Sequence, residues 1–244
     1  MIDEPHFEPP PSVLDAAKII RTVDRLAQRI DERFPHSGLH RVSQQLLTIA
    51  QQTKERSEAI ARPILWLRIV IGLLVLLILL GILGTIARVD IPRGGLHFFD
   101  FVQALEASIN DIVLIGAGIF FLITLENRIK RGRAMRALHE LRAIAHVIDM
   151  HQLTKDPDRL LVRLLETPAS PQQTMTPYEL SRYLDYCTEL LSLTGKIAAL
   201  YIQEYDDAQV SEAVNEIELL TTGLARKIWQ KLMIVHSVYH ETTK

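Results

Sequence analysis

An uncharged run over 69–87 (IVIGLLVLLILLGILGTIA) limits the possible folds of this chain more than any other feature. A helix that crosses a bilayer needs roughly 20 apolar residues at about 1.5 Å each. Counted from Pro63, the run meets that length. Helices of soluble cores keep a polar face, and this run has none. It predicts a first membrane span over 63–87.

A second apolar segment follows over 108–127 (SINDIVLIGAGIFFLITLEN). Its uncharged part, 112–125, is about 21 Å long as a helix. That is short for a lone span, but behind a strong first span it is the natural return helix of a hairpin. Lys and Arg near the span ends set the orientation. Lys54, Arg56 and Arg62 precede the first span, and Arg128, Lys130, Arg131, Arg133 and Arg136 follow the second. The connection holds only Arg88 and Arg93. Both termini are therefore expected in the cytoplasm, with a bacterial inner membrane as the expected host. The connection itself, 88–107, reads as a turn at Pro92, Gly94 and Gly95 and then an amphipathic helix lying at the outer interface. Phe98, Phe101, Val102, Leu105 and Ile109 share its apolar face.

Charged helical sequence flanks the spans. Residues 1–11 are acidic and proline-rich and lack the basic and apolar regions of a signal peptide, so a short disordered tail is expected. A helical hairpin is expected over 12–62. Its first helix repeats Val13, Ala16, Ile20, Val23, Ala27, Ile30 and Phe34 at three- and four-residue spacings, the seam of a coiled coil. Pro35 and Gly38 break the chain, Ser37 caps the next helix, and Leu39, Val42, Leu46, Ile49 and Ala50 line its apolar face. Beyond the second span, a helical extension covers 128–166, ending in a short helix opened by Asp156-Pro157. A linker follows over 167–176, then a C-terminal helical hairpin over 177–244. Thr176-Pro-Tyr-Glu179 has the pattern of a capping box, and Asp206-Asp207 reads as the turn of that hairpin. The fold class these readings define is an all-α membrane protein: a two-helix transmembrane hairpin with a cytoplasmic bundle of about five long helices.

Chemistry is sparse by comparison. A net charge of −2 gives no field for nucleic acid. The single cysteine, Cys187, permits neither an intramolecular disulfide nor a cysteine metal cluster, and its apolar neighbours read as packing. His236 and His240, four apart on the last helix, are a weak metal pair without a third ligand. His139-Glu140 lacks the second histidine of a zinc-protease motif, since position 143 is alanine. Thr194-Gly195-Lys196 lacks both the upstream glycine and the following hydroxyl residue of a phosphate loop. No cofactor and no enzymatic activity are expected.

Polar residues in or beside the spans are the remaining candidates. Arg68 is expected to snorkel to the inner headgroups or to pair with Glu126. Asn110 and Asp111 are expected to cap the second span or, in a homo-oligomer, to ring a pore mouth that attracts cations. Arg128, Lys130, Arg131, Arg133 and Arg136 are placed to contact anionic lipid headgroups. Gly72, Gly81, Gly84, Gly116, Ala117 and Gly118 permit close helix approach. Tyr178, Tyr183, Tyr186, Tyr201 and Tyr205 suit bundle packing or an interface. The expected function is that of a non-enzymatic scaffold that self-associates, or docks a cytoplasmic protein partner, through its helical bundle. The alternative is a homo-oligomeric ion channel or transporter-like assembly with its mouth at Asn110 and Asp111.

Overall fold

Helix starts in this chain fall where the sequence supplies an acceptor for unpaired backbone N–H groups. Asp15 accepts from the N–H groups of Ala17 and Lys18 at 2.8 and 3.2 Å and opens α1, Ala16–Arg33. Ser37 Oγ accepts from the His40 N–H at 3.1 Å at the start of α2, Gly38–Ala61. Next come α3, Leu65–Arg88, and α4, Phe98–Leu153. The expected capping box opens α5, Pro177–Glu204: Thr176 Oγ1 accepts from the Glu179 N–H at 3.2 Å, and Glu179 Oε2 accepts from the Thr176 N–H at 2.8 Å. Asp207 Oδ1 accepts from Gln209 and Val210 to open α6, Ala208–Thr242.

The structure, a computed structural model, describes residues 13–88, 98–155, 157 and 175–242, and all of its regular secondary structure there is helical. The expected tail over 1–11, the turn at Pro92, Gly94 and Gly95, and the short helix from Asp156-Pro157 lie outside the described residues, apart from Pro157. The linker over 167–176 does as well, apart from Met175 and Thr176. The chain divides into two compact units, Arg62–Gly132 and the remainder on either side of it.

The flanking unit is a helical bundle of α1, α2, the end of α4 from Arg133, α5 and α6, in agreement with the expected five long helices. Its hub is α5, which packs against α1, α2 and α6. The reason lies in its sequence: Leu184, Cys187, Leu191, Ala198 and Tyr201 form one buried row, and Leu190, Leu193, Ile197 and Leu200 a second beside it. Each large aliphatic side chain so buried stabilises the fold by about 1.5–3 kcal/mol. From α4, Ala134, Leu138, Leu141, Ala145 and Ile148 join the same core. Along α6, Val210, Val214, Ile217, Thr221, Leu224, Ile228, Leu232 and Val235 are buried at three- and four-residue spacings. The α1 seam is real from Val23 through Phe34, but Val13 is exposed and Ile19 is buried in preference to Ile20. Contact with both α2 and α5 makes this a bundle face, wider than the coiled-coil seam expected.

The α1–α2 turn corrects a second detail. The residue in the left-handed region is His36, at φ 59°, while Gly38 is already helical. Gly38 has another neighbour: a Cβ there would lie 2.8 Å from Nδ1 of His151, and closer still to Cε1, so the ring would have to move.

The other unit holds α3 and the first part of α4. Large aliphatic side chains point outward along both, with Leu77 63% and Leu114 75% exposed. Among the described residues Leu67 is buried, and a narrow stripe is half-buried: Ile71, Leu74, Val75 and Ile78 on α3, and Ile115, Ile119, Leu122, Leu125 and Ile129 on α4. Both helices are long and apolar enough to cross a membrane. One expectation fails here. α4 runs unbroken for 56 residues, about 84 Å, so the interfacial helix expected within 88–107 and the span expected to begin at 108 are a single element. Between Phe98 and Ile115 no proline or glycine interrupts the ladder, and a change of hydropathy alone does not end a helix. Asn110 and Asp111 consequently lie inside α4 and not at its N-terminus, where capping was expected.

Candidate functional site

Glu126 anchors the beginning of α3. Its Oε1 accepts from the Ile64 N–H at 3.3 Å, while the Ile64 carbonyl accepts from Leu67 and Arg68 at 3.1 and 3.2 Å. The carboxylate thus satisfies a donor at the positive end of the helix dipole. Its ion-pair partner is Lys130, one turn further along α4, with Nζ at 3.0 Å. Of the two roles expected for Arg68, the structure does not show the pair with Glu126, and Arg68 stands on the exposed side of α3. The ion pair also commits one member of the basic cluster, Lys130, to an internal contact. Asn110 is exposed, and the side chain of Asp111 lies outside the described residues. A Cβ added at Gly72, Gly81, Gly84, Gly116 or Gly118 would meet nothing within 4 Å, so none of these glycines serves a close approach to another described helix.

A cavity of about 260 Å³ in the helical unit is lined by Arg56, Ile60, Arg133, Arg136, Ala137 and Glu140. Helical spacing explains the lining. Arg133, Arg136, Ala137 and Glu140 are three, four and seven apart on one face of α4, and Arg56 and Ile60 are one turn apart on α2. Arg56 is fixed from two sides: Nη1 donates to Glu140 Oε2 at 2.7 Å and Nη2 to Gln52 Oε1 at 2.8 Å. The bond to Glu140 pushes the Arg56 guanidinium further up from its already high ordinary value. Beneath this group, the hydroxyl of buried Tyr201 donates to Thr53 Oγ1 at 3.3 Å. Arg133 and Arg136 are exposed, and no carboxylate pairs with either among the described residues. Sequence reading singled out Arg133 and Arg136 but used Arg56 only for orientation. Nothing in the linear pattern brings α2 to α4 at that point.

A second arginine cluster surrounds two of the tyrosines. Arg29 and Arg182 lie 5.8 and 5.0 Å from the Tyr186 ring centroid, and Arg33 lies 5.5 Å from that of Tyr178, donating to its hydroxyl at 3.0 Å. Arg29 pairs with Glu189 at 2.6 Å and Arg182 with Asp185 at 3.0 Å. The group holds α1 to α5 with its charges largely compensated. Tyr183, Tyr186 and Tyr201 are buried, as packing residues should be, whereas Tyr178 is exposed.

The remaining candidates have structural occupations. His236 Nδ1 lies 2.8 Å from the Leu232 carbonyl of its own helix, and the side chain of His240 lies outside the described residues. Glu140 of the broken zinc motif pairs with Arg56. Thr194 is buried in mid-helix and donates to the Leu190 carbonyl at 2.8 Å. Burial pushes the Cys187 thiol up to about 12, which keeps it protonated and unreactive.

Fold and site together define an all-α protein with a folded helical bundle and two helices long and apolar enough to cross a membrane. No family model, no curated protein and no solved structure matches the chain.

Proposed function

We propose that this chain is a non-enzymatic membrane protein, held by α3 and the apolar part of α4, that self-associates or docks a cytoplasmic partner through its helical bundle. The observation that carries this reading is the outer face of α6. Away from the buried row, Leu219, Trp229 and Met233 point outward, with Trp229 61% exposed and Met233 one turn beyond it. Tryptophan and methionine are enriched at the centres of protein interfaces and depleted from idle surface. The Lys and Arg counts beside the spans support a cytoplasmic position for this face.

The test is particle mass in lipid nanodiscs, for the full chain and for Trp229→Ala/Met233→Ala. The reading expects a species heavier than one chain, an oligomer or a retained partner, that reverts to one chain in the variant with its helical content unchanged. A lone chain in both, with nothing retained, contradicts it.

Exposed Asn110 supports a second reading, a homo-oligomeric channel with its mouth at Asn110 and Asp111. Liposome flux with Asp111→Asn tests that reading, and unchanged cation selectivity contradicts it.

A further inference from the structure

We infer that Arg133 and Arg136, with Arg56 beside them, form a binding site for one anionic phosphate group. Two guanidinium groups one turn apart on α4 repel each other unless an anion lies between them. Both are without a carboxylate partner among the described residues, and the only acid lining the cavity, Glu140, is engaged by Arg56. Three cations against one anion leave the cavity strongly positive. Arginine suits this role because its planar fork matches phosphate oxygens in pairs, which a lysine ammonium does not. Arg56 is held in place by Glu140 and Gln52, so one wall is ordered before any ligand arrives. Ile60 and Ala137 supply an apolar wall that strengthens the field. At about 260 Å³ the cavity is somewhat smaller than pockets that enclose drug-sized ligands, about 300–1,000 Å³, and fits a headgroup-sized anion.

Two sources supply such a group, a lipid headgroup and a soluble phosphate compound. Position along α4 favours the first. Arg133 and Arg136 follow Leu125, where the uncharged run ends, by only eight and eleven residues of sequence. Only the lipid source rests on the membrane reading proposed above; the phosphate site itself does not.

The experiment measures the melting midpoint of the full chain in phosphatidylcholine nanodiscs. One arm replaces part of the lipid with phosphatidylglycerol, and the other adds inorganic phosphate in place of chloride at equal ionic strength. A rise confined to phosphatidylglycerol identifies the lipid headgroup, and a rise with inorganic phosphate identifies a soluble ligand. In either case Arg133→Gln/Arg136→Gln must abolish the rise, and Arg133→Lys/Arg136→Lys must reduce it by removing the forks while keeping the charge. Arg21→Gln/Arg25→Gln, which removes the same charge from exposed positions of α1, must leave it intact. No rise in either arm, or equal loss in the α1 variant, overturns the site. Particle mass in the same discs reads self-association separately, so failure of one proposal is not mistaken for failure of the other.

Discussion

At the scale of single residues, the junction of His151 with Gly38 and Arg41 concentrates the most specific consequences. Gly38→Ala forces a methyl group onto the His151 ring, and overpacking of this kind costs about 1–3 kcal/mol. Denaturant midpoints should show that loss, and the same substitution in a His151→Ala background should cost much less. His151 also makes stability depend on pH. Burial first, then the nearby charges of Arg41 and Lys155, lower its affinity for a proton below the ordinary value of 6.5. The unfolded chain then binds the proton more readily than the folded one, so this contribution is complete above pH 6.5 and is lost as pH falls through the lowered value. Melting midpoints should therefore decline on acidification below about 6.5. His151→Gln should flatten that decline, and an unchanged slope would place its origin elsewhere.

Among elements, α4 has the most to teach. A side chain from α6 closes off its end: Lys231 Nζ donates to the carbonyl of Gln152 in its last turn and to that of Lys155 just beyond it, at 2.9 and 3.1 Å. A cation at that end also opposes the negative pole of the helix dipole. Lys231→Met keeps most of the side-chain volume but takes the ammonium from the Lys155 carbonyl and leaves Gln152 only the Lys155 N–H at 3.1 Å, and a loss of about 1–3 kcal/mol in urea unfolding is expected. A cost near zero would mean that water replaces the ammonium. Helix existence and caps were legible in the sequence where they depend on near neighbours, as at Ser37 and Thr176, while Asp207, expected only as a turn, also caps α6. The continuity of α4 was not legible, because hydropathy changes near Ser108 while backbone hydrogen bonding does not. Cross-helix pairs such as Arg56–Glu140 and Arg142–Glu216 were equally hidden, since each joins residues from separate elements. The Glu126–Lys130 pair, by contrast, joins residues one turn apart on α4 and lay within reach of sequence reading.

For the whole molecule, the outward aliphatic surface of α3 and α4 is the central observation, and a hairpin through the bilayer is the reading it supports. Positions outside the described residues provide the probe. Single cysteines at Glu4, Gly94 and Lys244 report the tail, the connection between the helices and the C-terminus. Native Cys187 can remain, because a buried thiol held at about 12 does not react. The measurement is labelling of these three variants in intact cells with a membrane-impermeant maleimide, before and after permeabilisation. The account predicts that Gly94→Cys is labelled at once, and that Glu4→Cys and Lys244→Cys are labelled only after permeabilisation. Labelling of all three from the same side would contradict it.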